Sequence, residues 1–425
     1  DPPGGTEVYV RGLCRALRAR GVECAVAAPT TGAPARYEVD GVAVHRFGFD
    51  ETDDPRELHG PGCPRAVREF LGVMEIERPD VVHLHSFTRA VSPALARAAR
   101  VAGARVVFTY HTPAATCERG SLLEWGATPC DGRVSATRCA ACALHGRGLP
   151  AAPSRIIAHV PVAVGRAIAR SGARGRMWTA LRMPELIDHR ARMFTRMVDS
   201  VDSVVVLAHW TEAVVRVNGV PSDKIVVSPP ALTHDLPPRP EPRRAGSPIR
   251  IAFLGRVDRV KGLGTLIDAV RATEAELRLD VFAVPSPGSE GLERELRAAA
   301  APDPRIRFLA PVAAERVIET IAGYDMLAVP SEVKETGPLV VLEAFAAGVP
   351  VIGSALGGIA ELVTDGVDGV LVEAGGWSAA LAALRPDDVD RLRAGVRPPR
   401  TMAAVAEEME SLYRRIVPRV PAGAW

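Results

Sequence analysis

What most constrains this chain is its rhythm: short runs of Val, Ile and Leu, each closed by Gly, Pro or Asp and followed by a segment with helical periodicity. In the first half the spacing predicts strands at 22–28, 42–47, 81–84, 106–110, 156–160 and 204–207. The second half repeats the pattern at 249–254, 279–284, 306–309, 326–329, 349–353 and 369–372. Near-continuous apolar strands alternating with helices are the signature of parallel sheets covered on both faces, because a crossover helix must return the chain to the start of the next strand. Predicted helices fall between the strands; the one at 9–20 carries Val10, Leu13, Cys14 and Leu17 on one stripe, and others lie at 263–272 and 338–347.

The two runs meet at 236–248, where five prolines forbid helix and interior strand. The expected organisation is an N-terminal domain over 1–235, a stiff linker over 236–248, a C-terminal domain over 249–400, and a last helix within 401–425 that crosses back to the first domain. The fold class is α/β, two Rossmann-like doubly wound domains, and such sheets bind ligands at the carboxyl ends of their strands. An interdomain cleft is then the expected site. Lys and Arg number 52 against 50 Asp and Glu, which excludes a protein that coats nucleic acid by charge. No apolar run reaches the roughly 18–20 residues that span a bilayer, no leader opens the chain, and seven cysteines in 425 residues are too few for a disulfide scaffold. The expected location is cytoplasmic.

Chemistry concentrates in a few segments. Around 329–354 a strand runs into a loop and then a helix near Pro338, with Glu335 just before the helix and Glu343 inside it. The N–H groups of Gly337, Leu339 and Val340 would point out of that helix start, while the carboxylates could accept hydrogen bonds from sugar hydroxyls. Upstream, Gly255 closes a strand and is followed by Arg256 and Lys261, two cations able to neutralise a diphosphate. Only Lys224, Lys261 and Lys334 are lysines, so a lysine in this loop is conspicuous in an arginine-rich chain. Gly4 and Gly5 precede the first helix and permit close backbone approach to a ligand; His111 follows a strand, where a structural role is the commoner one.

These segments resemble the retaining glycosyltransferases of family 4, of GT-B fold. The resemblance rests on Gly255-Arg256 with Lys261-Gly262, on Glu335 and Glu343 within their helix context, and on Gly357-Gly358-Ile359-Ala360-Glu361-Leu362. The stretches 79–85 and 218–225 add support. The resemblance implies a nucleotide-diphosphate sugar, most simply UDP-linked, held mainly by the C-terminal domain, and a small-molecule or glycan acceptor held mainly by the N-terminal one. It implies that Arg256 and Lys261 hold the diphosphate and Glu343 the ribose hydroxyls. The transferred sugar would fall to Glu335 with Gly337 and Leu339, and Thr336 and Pro338 would also bind the donor. Gly4 and Gly5 would approach the donor phosphates, and His111 would lie near the sugar. No obligatory catalytic metal is expected. A nucleotide-sugar 2-epimerase and a non-catalytic nucleotide-sugar-binding protein are the rival readings, and a dehydrogenase lacks its G-x-G-x-x-G loop.

The sequence departs from the family in three places. It lacks a strand ahead of the first glycine loop, Ala283-Val284-Pro285-Ser286 replaces a glycine-rich turn, and Ser228-Pro229-Pro230-Ala231 replaces an Asn-Gly turn. Two insertions stand out, and the resemblance extends to a subgroup of the family with a cysteine-bearing insert in the N-terminal domain. A loop at about 114–146 carries Cys117, Cys130, Cys139 and Cys142, whose spacing fits a structural zinc site, free thiols or disulfides. A basic stretch at about 161–201 carries Arg166, Arg170, Arg174, Arg176, Arg182, Arg190, Arg192 and Arg196. It is expected to be an amphipathic helical pair with arginines in water, the sharper reading being a platform for an anionic acceptor or a peripheral membrane contact.

Overall fold

A computed structural model of the chain describes residues 4–233, 245–286 and 288–417. Most of the proline-rich segment 236–248 lies outside the described residues. The chain divides into unit 1, residues 1–229 with 405–425, and unit 2, residues 230–404.

Unit 1 holds β1 (Ala25–Thr30), β2 (Ala35–Val39), β3 (Val42–Gly48), β4 (Val81–Leu84), β5 (Arg105–Tyr110), the two-residue strands β6 (Leu123–Glu124) and β7 (Thr128–Pro129), β8 (Ser203–Val206) and β9 (Ile225–Val227). These make two separate main ladders. One has the order β1-β3-β2, with β2 antiparallel, and the other is the parallel set β4-β5-β8-β9. The central strands β5 and β8 are covered on both faces, so Val106, Val107 and Val204 to Val206 are fully buried, as a continuous apolar run requires. Helices Pro64–Glu77 and Pro93–Val101 pack Phe70, Met74 and Leu95 onto this core. The second helix starts cleanly because Ser92 accepts a hydrogen bond from Leu95 N–H and Pro93 occupies the first turn.

The strand expected at 156–160 is instead the end of a helix, Ala151–Ile157, and the turn that follows it. Its β-branched residues have no neighbouring strand to pair with, and Ile156 is 74% exposed. The segment sits in a helical insertion between β5 and β8 that continues through Val162–Arg170, Arg176–Leu181 and Met183–Asp199, three helices where a pair was expected. Met193 and Met197 are buried, giving the amphipathic face its core. Arg182 and Arg190, expected in water, are buried instead. The Arg190 guanidinium sits 2.5 Å from Glu118 Oε2 and donates to the carbonyls of Ala114 and Cys117. It thus ties the helix to the cysteine loop, and a charge so placed is tolerated because it is paired and hydrogen-bonded.

Unit 2 has six parallel strands: β10 (Ile249–Arg256), β11 (Leu277–Val284), β12 (Ile306–Phe308), β13 (Met326–Val329), β14 (Val351–Ser354) and β15 (Gly369–Val372). They lie in the order β12-β11-β10-β13-β14-β15. The chain therefore lays down β10 to β12 in one direction, returns, and lays down β13 to β15 in the other. The reversal falls between β10 and β13, and that is the crevice where doubly wound sheets take ligands. Ile251, Leu279, Val281, Met326 and Ile352 form one core with Leu266 and Ile267 of the helix Leu263–Arg271. Burying one such side chain is worth roughly 1.5–3 kcal/mol. Helix Met402–Ile416 begins at the edge of unit 2 and lies mostly in unit 1, where Tyr413 shares a 2.7 Å hydrogen bond with His83 Nδ1.

Candidate functional site

Around the strand reversal of unit 2 lie Arg256, Lys261, Glu335 and Glu343, on the loops after β10 and β13 and the helix that follows. Strand β10 ends at Arg256, which is exposed. Asp258 then accepts from Val260 N–H and starts a single turn, Arg259–Lys261. Gly262 ends that turn with φ of 70°, and a Cβ there would stand 1.8 Å from the carbonyl oxygen of Pro330, at the end of β13. Only glycine lets the loop after β10 lie against the loop after β13. Glu332 N–H donates to Val260 O at 2.8 Å across the same seam.

This close approach brings Lys261 Nζ to 2.6 Å from Glu335 Oε2, a pair separated by 74 residues in sequence. Ser331 Oγ–H donates to the other carboxylate oxygen, Oε1. Both partners are largely shielded, with 24% of the lysine side chain and 14% of the glutamate exposed. Glu335 is held from the backbone side as well, since its carbonyl accepts from Gly358 N–H at 2.7 Å. Gly358 lies in the first turn of the helix Gly357–Leu362 and could carry no Cβ, which would lie 2.6 Å from that carbonyl oxygen.

The helix after this loop is Leu339–Ala346, with Pro338 at its N-cap and no side chain capping it. Its first N–H groups, those of Leu339 and Val340, face away from the helix body and form the positive end of the peptide dipoles. Gly337, with φ of 156°, is pressed against the Pro230 ring, so Thr336 and Gly337 are fixed where the loop enters the helix. Glu343, one turn inside, is half-buried, and burial pushes its carboxyl up to about 7. A group poised there can accept hydrogen bonds once ionised.

Unit 1 carries a different cluster. His83 lies in β4, His85 follows it, and His111 follows the adjacent parallel strand β5, so the three rings gather at the carboxyl ends of neighbouring strands. His85 Nδ1 and His111 Nε2 share a 3.0 Å hydrogen bond, and His83 Nε2 shares one of 2.6 Å with Thr109 Oγ1. The Tyr9 ring packs on both His85 and His111, with centroids 5.8 and 5.1 Å away. Burial lowers all three imidazoles, His83 to about 3 and His111 to about 4, so they are neutral at physiological pH. His111 was singled out by the sequence as a lone histidine; the structure makes it one of three. The His-Leu-His spacing at 83–85 was the available signal, since alternate strand residues share a face. Gly4 and Gly5 stand at the start of the helix Gly5–Ala19, exposed and with no side chain capping its first N–H groups.

The cysteine quartet does meet in space. Cys117, Cys130, Cys139 and Cys142 line one cavity of about 30 Å³, and three of the four sulfurs accept backbone N–H bonds, from Gly132, Ser135 and Trp125. Among the described residues, however, no group of three or more His, Cys, Asp or Glu side chains is placed to hold a metal ion. The zinc expectation for Cys117, Cys130, Cys139 and Cys142 is therefore left without a ligand set among the described residues. All seven cysteines are free thiols, which leaves the disulfide alternative without a bridge. No described helix is long and apolar enough to cross a membrane.

Comparison with known proteins bears on both units. Residues 3–159 match the family described as Glycosyltransferase Family 4, and residues 248–385 match Glycosyl transferases group 1. The chain belongs to glycosyltransferase family 4. One relative is a D-inositol 3-phosphate glycosyltransferase from Nocardia farcinica (strain IFM 10152), 37% identical over 208 residues, or 44% of this chain and 45% of that protein. In such alignments the chain spans about half the length of the curated relatives it matches, 45% and 49% for two of them. Sucrose-phosphate synthase from Thermosynechococcus elongatus has the same fold, with a TM-score of 0.65 at 19% identity over 97% of this chain and 94% of that one. The HepE protein of Anabaena in complex with UDP-glucose gives a TM-score of 0.56 at 15% identity, covering 97% and 95%. For this family 4 chain the comparisons support the α/β, GT-B fold with two Rossmann-like domains.

Proposed function

We propose that this chain transfers a sugar from a nucleotide-diphosphate donor to an acceptor hydroxyl with retention of anomeric configuration. The observation that carries the reading is the Lys261–Glu335 pair at the sheet reversal of unit 2, with Arg256 at the adjoining strand end and an uncapped helix start beside it. The donor diphosphate is the group that matches Arg256 and Lys261 in charge. As the bond from the sugar C1 to the diphosphate oxygen breaks, negative charge grows on the leaving group, and fixed cations stabilise that charge without reorganising. Glu335, released from part of its pairing with Lys261, accepts hydrogen bonds from sugar hydroxyls, and Glu343 does the same for the ribose. The acceptor oxygen then bonds to C1 on the face the diphosphate leaves, and the hydroxyl proton passes to the departing diphosphate oxygen.

The acceptor falls to unit 1, where neutral His111, held by His85, can exchange hydrogen bonds with an uncharged hydroxyl. A UDP-linked donor is favoured because HepE, of the same fold, was determined with UDP-glucose. The relative from Nocardia farcinica makes a phosphorylated cyclitol a sensible first acceptor to try.

The reading is tested by melting the full chain with UDP-, GDP- and ADP-linked sugars and with NAD, and by scoring slow donor hydrolysis. A UDP-sugar should raise the melting temperature and be hydrolysed. Stabilisation by NAD alone would overturn the assignment.

A further inference from the structure

A second polar cavity lies in unit 1, on the helix Met183–Asp199, and neither the switch-point site nor the histidine cluster uses it. It encloses about 280 Å³ and is lined by Arg56, Glu57, His189, Arg192 and Arg196 together with Pro61 and Met193. His189 is 6% exposed and its Nε2 has no hydrogen-bond partner. The tautomer follows from its other nitrogen. Arg56 Nε–H donates to Nδ1 at 3.2 Å, so Nδ1 is the acceptor and the ring proton sits on Nε2. Burial and the neighbouring guanidiniums of Arg56, Arg192 and Arg196 hold the imidazole neutral, down to about 4, although Asp188 acts the other way. A buried N–H donor without an acceptor is costly, and such a group in a polar cavity marks a ligand or ordered solvent.

The charges around the cavity are unbalanced in the same sense. Glu185 is shared by Arg56 and Arg182, and Asp188 by Arg166 and Arg192. Glu57 is matched by Arg89, and Arg182 also leans on Asp54. Arg196 has no ion-pair partner among the described residues. Six guanidiniums thus face four carboxylates, and one of the uncompensated cations stands at the cavity wall beside a donor seeking an acceptor.

We propose that this cavity binds a phosphate group, either the free ion or the monoester of a small molecule. Guanidinium forks suit phosphate oxygens in pairs, and Arg56, Arg192 and Arg196 all line this cavity. The volume accommodates more than a bare phosphate, so a sugar-sized ester fits the same chemistry. The proposal does not rest on the donor reading of unit 2.

The test uses the full chain in a low-salt buffer free of phosphate, titrated with inorganic phosphate and with glucose 6-phosphate, with sodium chloride at matched ionic strength as control. Saturable binding by calorimetry is expected in the millimolar range or tighter. Arg196→Glu should weaken it by at least about tenfold, the worth of one charged hydrogen bond. Arg196 is exposed, so that variant should melt with the wild type; Arg170→Glu, on an exposed helix position outside the cavity, should bind as the wild type does. Tighter binding of the ester than of the ion assigns an organic phosphate, and equal binding assigns the ion. Absence of saturable binding beyond the chloride control, or wild-type affinity in Arg196→Glu, would overturn the proposal.

Discussion

The two units are built from the same parts and put them to opposite electrostatic use. In unit 2 one unbroken sheet of six parallel strands reverses direction between β10 and β13, and ionised side chains from the two sides of the reversal meet as Lys261 and Glu335. In unit 1 the strands form two main ladders and a two-residue pair, and the groups at the ends of β4 and β5 are three imidazoles kept neutral by burial. A ligand that carries charge is suited to the first arrangement, and a neutral hydroxyl to the second. The difference lies in the partners: Lys261 and Glu335 have each other as opposite charges, whereas the groups bonded to His83 and His85 are Tyr413, Thr109 and His111.

The sharpest way to break this contrast is to remove the cation. Lys261→Ala should lower donor hydrolysis by about 100-fold or more while far-ultraviolet circular dichroism stays native, because one fixed electrostatic donor typically supplies that factor. Wild-type turnover would take the residue out of the chemistry. Next comes the seam that lets the cation reach its partner. Gly262→Ala forces a positive φ on an L-residue and drives a methyl into the Pro330 carbonyl, so urea melts should show unit 2 weakened by about 2–4 kcal/mol. An unchanged midpoint would mean that the two loops can separate freely.

In unit 1, Tyr413→Phe removes the hydroxyl that bonds His83 and leaves a buried ring nitrogen short of a partner, which should cost about 1–2 kcal/mol in the same assay. The donor panel should be unaffected by that change, since Tyr413 belongs to the neutral cluster. The smallest effect is a pH dependence. Glu343 is raised to about 7 from an ordinary 4.5, so its protonated form is the one that the folded chain prefers. Its contribution to stability is fully present below about 4.5 and is lost as pH rises through about 7. Nucleotide binding should run the other way, tightening as the carboxylate forms near pH 7, and Glu343→Gln should flatten both profiles. A pH-independent affinity in the wild type would remove the ribose role.

The alternation of apolar runs and helices was legible because parallel strands buried on both faces cannot hide their composition: 81–84 and 326–329 are strands over those same residues. The segment 156–160 misled for the converse reason, since two isoleucines and a valine look like a strand until one asks what they pair with. Arg182 and Arg190 read as solvated members of a basic stretch, yet Glu185 and Glu118 draw them inward from positions that periodicity cannot anticipate. The cysteine spacing suggests a shared ligand; the four residues do line one cavity, yet no metal-holding group of three or more is found among the described residues.

The sequence by itself determined the layered α/β architecture and the types of residue offered at strand ends, because burial and helix periodicity are properties of neighbouring residues. Which of those residues meet was decided only by the tertiary structure. Lys261 finds Glu335, and His85 finds His111, through strand order and glycine-permitted contact between distant loops. A linear sequence holds no measure of the distance between such loops until the sheet has formed.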